Sequence, residues 1–122
     1  MKDYLKLYLV TDRELSLGRS LEEVVSEAVK GGVTVVQLRE KDASTGEFIE
    51  LARRLMKLLK PLDIPLIIND RVDVALAVDA DGVHIGQKDM TADYVRSVIG
   101  EDKILGVSAQ TVEQAILAEK EG

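Results

Sequence analysis

The chain has 122 residues, of which 46% are hydrophobic and 31% charged, so it can bury a core and belongs with folded rather than disordered chains. Its net charge of −6 argues against a nucleic-acid partner, which calls for a basic face. With no cysteine, disulfides, thiolate metal sites and a cysteine nucleophile are excluded, which fits a cytoplasmic setting. No segment approaches the ~20 consecutive apolar residues of a membrane span.

Short apolar runs alternate with longer amphipathic stretches. Leu7 to Val10 reads as a first strand. Ser20 is placed as the N-cap of a helix in which Leu21, Val24, Val25, Ala28 and Val29 recur at helical spacing, and Gly31-Gly32 ends it. Val33 to Leu38 is a second strand. A second helix starts near Ser44 or Thr45, with Phe48, Leu51, Ala52, Leu55, Leu58 and Leu59 on one face. Pro61 and Pro65 bracket the way to a third strand, Leu66 to Ile68, and a short helix spans Val72 to Val78. Gly82 to Ile85 is the fourth strand. Thr91 caps a helix that Gly100 terminates, Lys103 to Val107 is the fifth strand, and a last helix begins near Thr111. Five strand–helix units in one domain imply an α/β fold with a parallel sheet and right-handed crossovers. Periodicity leaves two architectures open: a doubly wound open sheet, or part of a (β/α)₈ barrel.

The polar residues gather at one kind of place, at or just past the C-terminal ends of the strands, where parallel α/β folds bind ligands. They are Gln37, Arg39 and Lys41 after the second strand, Asn69 and Asp70 after the third, Asp89 after the fourth and Ser108 after the fifth. If the second strand stays regular, Gln37, Arg39 and Lys41 project to one side and Leu38 to the other. Two cations beside two carboxylates suit a polyphosphate held with Mg²⁺, which takes one or two protein carboxylates plus phosphate oxygens. Taken singly, each has a plainer reading. Arg39, Glu40 and Lys41 read as solvated loop charges, Asp70 and Ser108 as helix caps, His84 as a hydrogen-bonded core histidine and Tyr8 as packing. The repetition on successive strand ends is what sets them apart.

The strings Tyr8-Leu9-Val10-Thr11-Asp12, Gln37-Leu38-Arg39-Glu40-Lys41, Asn69-Asp70-Arg71, Asp81 to Gln87 with Asp89, and Gly106-Val107-Ser108 resemble the thiamine-phosphate synthase family, in order and spacing, across essentially the whole chain. The resemblance implies a (β/α)₈ TIM barrel, here about its first five units. It implies a transferase that couples hydroxymethylpyrimidine diphosphate to thiazole phosphate, giving thiamine phosphate and pyrophosphate. Carried over by position, Gln37, Leu38, Arg39, Glu40, Lys41, Asn69 and Ser108 bind the pyrimidine diphosphate, with Arg39 and Lys41 catalytic. Asp70 and Asp89 hold Mg²⁺, and Tyr8 and His84 lie near the pyrimidine. The family's later strands carry the thiazole-phosphate contacts, so the chain is expected to be a truncated barrel that forms a homo-oligomer or lacks its C-terminal half. The alternatives are a noncatalytic Mg²⁺–diphosphate-binding fragment and a relative of the thiazole tautomerases.

Overall fold

The computed structural model describes residues 3–122. Five strands are set by the apolar runs: β1 (Tyr8–Val10), β2 (Val35–Leu38), β3 (Leu66–Asn69), β4 (Gly82–Ile85) and β5 (Ile104–Val107). Each is followed by a helix: α1 (Leu21–Lys30), α2 (Thr45–Leu59), α3 (Val72–Val78), α4 (Ala92–Ile99) and α5 (Val112–Lys120). The strands form one parallel sheet in the order β1-β2-β3-β4-β5. A strand always pairs with the next in sequence, which is the connectivity of a barrel wall. A doubly wound sheet reverses strand order at a switch point, and none occurs among the described strands.

Alternation along the strands divides the sheet into two faces. Val36, Leu38, Leu66, Ile68, Val83 and Ile85 face the helices and are buried with Phe48, Leu51 and Leu55 of α2 in one core. Gln37, Ile67, Asn69, His84 and Gly106 occupy the alternate positions, and the register sets Gln37 beside Ile67, Asn69 beside His84, and His84 beside Gly106. The outer edges are less covered. Tyr8 and Val10 of β1 are 38% and 47% exposed, and α5 buries none of its residues fully. Among the described residues no helix is long and apolar enough to cross a membrane.

Helix starts follow local chemistry. Ser20 Oγ accepts from Glu23 N at 3.1 Å, Ser44 Oγ from Glu47 N at 3.2 Å, and Thr111 Oγ1 from Gln114 N at 3.1 Å. Each satisfies one of the N–H groups that a first helical turn leaves without a partner. Replacing Ser44 with Ala is expected to cost about 1 kcal/mol of stability, measured by urea unfolding. Thr91 stands at the N-cap position of α4 as expected, yet its side chain caps nothing. The hydroxyl interacts with Asp93 instead, and the Glu121 carboxylate accepts from Ala92 N at 3.2 Å.

Several details differ from the sequence reading, and β1 and β5 each begin one residue later than expected, at Tyr8 and Ile104. β2 begins at Val35, because Val33 N still bonds Ala28 O in the exit turn of α1, while Thr34 bonds Tyr4 O and Leu7 O through its hydroxyl. β3 runs one residue further, through Asn69. Asp70 is not the cap of α3; that place belongs to Arg71, and Asp70 has a left-handed backbone with φ 64°. Finally, β2 stops at Leu38, so Arg39 and Lys41 do not continue its alternating column. They lie in the loop that follows.

Candidate functional site

The C-terminal edge of the sheet is built strand by strand. After β1, Thr11 N donates to Gln37 O at 3.0 Å and Thr11 Oγ1 accepts from Arg39 N at 3.1 Å. This buried threonine stitches the two strand ends together and sets where the segment from Arg39 onward leaves the sheet. The next residues form a tight turn: Asp12 Oδ1 accepts from Glu14 N and Leu15 N, and Ser16 Oγ donates to Asp12 O at 2.7 Å. A cavity of about 450 Å³ opens between these two loops, lined by Arg13, Arg39, Glu40 and Lys41 among others. The Arg39 and Lys41 side chains make no hydrogen bond or ion pair with any described residue. The wall is mixed, because Asp12, Glu14, Asp42 and Glu47 line it as well, and Arg39 and Lys41 are the groups on it suited to meet an anion.

On the inner face, three polar side chains form a row across three strands. Asn69 Nδ2 donates to Gln37 Oε1 at 2.8 Å, and Gln37 Nε2 donates to Tyr8 OH at 2.9 Å. Gln37 is 4% exposed, so these bonds meet the requirement that a buried amide be paired. Burial pushes the Tyr8 hydroxyl pKa up, and the Gln37 hydrogen bond partly offsets this.

His84 leans over β5, where Nε2 lies 2.8 Å from Ser108 Oγ. It can do so because residue 106 is glycine: a Cβ there would collide with His84 Nδ1. Burial lowers the His84 pKa, opposed by the nearby Asp70 and Asp89 carboxylates. Ser108 therefore serves the inner face, and the cap of α5 is Thr111. The loop after β4 is tied down twice. Gly86 N donates to Asp89 Oδ2 at 2.7 Å, which aims that carboxylate, and Gln87 Nε2 donates to Ser108 O at 2.7 Å.

Asp70 and Asp89 face one another from the ends of β3 and β4. Burial raises the Asp70 pKa, and the Asp89 carboxylate raises it further, while Lys41 and His84 act in the opposite sense. Two carboxylates that close together require a shared proton or a cation. Among the described residues there is no cluster of three or more acidic or histidine side chains that could hold a metal alone. A pair is the complement that Mg²⁺ takes when phosphate oxygens complete its shell, so the donor set fits that ion.

The geometry therefore brings Gln37, Asn69, Asp70, His84, Asp89 and Ser108 to one edge, with Tyr8 joined through Gln37 and Arg39 and Lys41 in the adjoining loop. Two residues of the expected binding set turn elsewhere. Leu38 is fully buried in the helix-side core, because alternation points it away from the inner face. The Glu40 side chain is taken by Arg13, whose Nε donates to both carboxylate oxygens at 2.9 and 3.0 Å. Thr11, Arg13 and Gln87 were not picked out from sequence. Thr11 and Gln87 lie within the strings Tyr8 to Asp12 and Asp81 to Gln87 and Arg13 just after the first, but their work is to bridge loops far apart in the chain, which spacing does not reveal.

Comparison with known proteins agrees with this architecture. The family described as thiamine monophosphate synthase matches residues 7–122. A thiamine-phosphate synthase of Clostridium tetani (strain Massachusetts / E88) is 59% identical over 116 residues, covering 95% of this chain and 56% of that protein. One from Clostridium botulinum (strain Eklund 17B / Type B) is 57% identical over 120 residues, covering 98% and 56%. The solved structure of a thiamine phosphate pyrophosphorylase from Pyrococcus furiosus superposes with a TM-score of 0.89 at 43% identity, covering 98% of this chain and 57% of that one. The chain spans about half the length of the curated relatives it matches. With its parallel barrel-type sheet and its family match over nearly all its residues, the chain belongs to the thiamine monophosphate synthase family.

Proposed function

We propose that these residues form the diphosphate-binding part of a thiamine-phosphate synthase, which joins hydroxymethylpyrimidine diphosphate to thiazole phosphate. The observation that carries this reading is the facing pair Asp70 and Asp89, with the Lys41 ammonium acting on Asp70 from a loop in which neither Arg39 nor Lys41 forms an ion pair among the described residues. In the reaction the thiazole nitrogen attacks the pyrimidine methylene carbon, the carbon–oxygen bond to the diphosphate breaks, and pyrophosphate leaves with the electron pair. The demand on the protein is to stabilise negative charge that grows on the leaving group. Arg39 forks onto phosphate oxygens and Lys41 adds a point charge. Mg²⁺ held by Asp70 and Asp89 supplies neutralisation of the diphosphate when bound. The row Tyr8–Gln37–Asn69 presents polar groups with fixed orientation to the pyrimidine, and His84 is held by Ser108 on the same face. No nucleophilic side chain is required, which suits a chain with no cysteine. A cytoplasmic setting suits two phosphorylated substrates.

Calorimetric titration of the intact protein with pyrophosphate tests the reading. Binding is expected only with Mg²⁺ present, and absence of heat at millimolar ligand would refute it. The dependence on pH has a definite sign. Metal ligands must be deprotonated, and the Asp70 pKa is raised. Mg²⁺-dependent affinity is therefore expected to fall on acidification at a pH above the ordinary aspartate range. Affinity that stays level until the ordinary range is reached would contradict the paired arrangement.

A further inference from the structure

The Arg13–Glu40 contact has an uneven setting. The Arg13 side chain is 62% exposed and the Glu40 side chain 3%. The solvated guanidinium therefore reaches in to a carboxylate that is shut off from water. Glu40 sits between Arg39 and Lys41 in sequence, and all four residues line one cavity. A carboxylate covered this well does not stay unpaired, because removing its partner leaves an uncompensated buried charge. Without Arg13, the other cations lining that cavity are the neighbours of Glu40 in sequence, Arg39 and Lys41, whose side chains form no ion pair with a described residue. Arg13 is also held in place in advance. It is carried on the turn built by Asp12 and Ser16, next to Thr11, which bonds Arg39 N.

We propose that Arg13 is a positioning residue that sequesters the negative charge of Glu40, keeping Arg39 and Lys41 free for an anionic diphosphate. The inference rests on the diphosphate reading above. It assigns Glu40, in the middle of the basic loop, a position to be neutralised rather than a contact with ligand. The sequence Arg39-Glu40-Lys41 can then present two cations to one cavity although the residue between them is acidic.

Titration of the intact protein with pyrophosphate and Mg²⁺ tests it through Arg13→Met and the double variant Arg13→Met/Glu40→Gln. Arg13→Met is expected to weaken affinity about tenfold, because Glu40 turns onto Arg39 or Lys41. The double variant is expected to regain most of that affinity, since the charge that blocked the cations is gone. A purely structural role would not give this rescue, so thermal midpoints are recorded alongside. If Arg13→Met does not fold, Arg13→Lys, which keeps the charge and loses the fork, is expected to show a smaller loss that Glu40→Gln likewise repairs. Unchanged affinity in the Arg13 variants overturns the inference. So does a double variant as weak as the single one, which would mean that Arg13 touches the ligand itself. Absence of binding by the unmodified protein would instead refute the diphosphate reading.

Discussion

Asp70→Asn is expected to lower Mg²⁺-dependent affinity for pyrophosphate on the order of 100-fold, or about 2.8 kcal/mol, while leaving the fold intact. The backbone at this position has φ 64°, a left-handed conformation that asparagine shares with aspartate more readily than other residues do. The hydrogen bond from Asp70 N to His84 O, 2.8 Å long, is a main-chain contact and survives the exchange. Only the charge is removed. The same change should raise the thermal midpoint of the metal-free protein at neutral pH. Because the folded-state pKa of Asp70 is raised, the folded chain holds this proton more tightly than the unfolded chain. Stability is thus lost as pH rises from the usual carboxylate value through the raised one, and asparagine avoids that loss. Calorimetry and thermal melts read the two effects separately. An unchanged Mg²⁺ dependence in Asp70→Asn would remove Asp70 from the proposed metal site.

Gly82→Ala is expected to destabilise the protein by about 1–3 kcal/mol and to disturb the functional edge as well. A Cβ at Gly82 would overlap the carbonyl oxygen of Ile104 and lie 2.7 Å from Ile104 Cβ. Both belong to the neighbouring strand, and one of the clashing atoms is backbone, so β4 and β5 must move apart. The contact between His84 Nε2 and Ser108 Oγ, which spans those two strands, opens with them. Gly46→Ala is the matched control. Gly46 lies in the first turn of α2 with open space around its missing Cβ. There the same exchange should stabilise the chain by a few tenths to about 1 kcal/mol. Urea unfolding of both variants gives the comparison, and equal effects would show that the close approach of β4 and β5 does not matter.

Much of this arrangement was legible in the residues. The limits of α3 and β4 follow from their apolar runs, and the serines at positions 20 and 44 mark helix starts because their hydroxyls reach the N–H three residues on. Which architecture the strands adopt was not legible from period alone, since open and closed parallel sheets share the same local pattern. The family strings pointed to the barrel, and the strand order bears that out. At the site, Gln37, Asn69, His84 and Ser108 were readable because each stands at a strand end on the inner face. Arg39 and Lys41 were placed at the correct edge for the wrong local reason, since the strand that was to align them ends at Leu38. The fork from Arg13 to Glu40 joins two loops 27 residues apart, and the Glu121 cap on α4 comes from 29 residues away. Such contacts depend on tertiary placement, which hydrophobic periodicity and capping rules do not encode.

The order in which the strands pair has a bearing on how the chain acquires its structure. Every strand docks on the one synthesised just before it, and even the longest step, from Val36 to Leu66, closes a modest loop. Because closure entropy grows only slowly with loop length, none of these steps costs much more than the others. Assembly can therefore follow the direction of synthesis, each unit using the previous strand as its template. The row of side chains that links Tyr8, Gln37 and Asn69 would then be complete once β3 has docked, before the segment carrying Asp89 and Ser108 emerges.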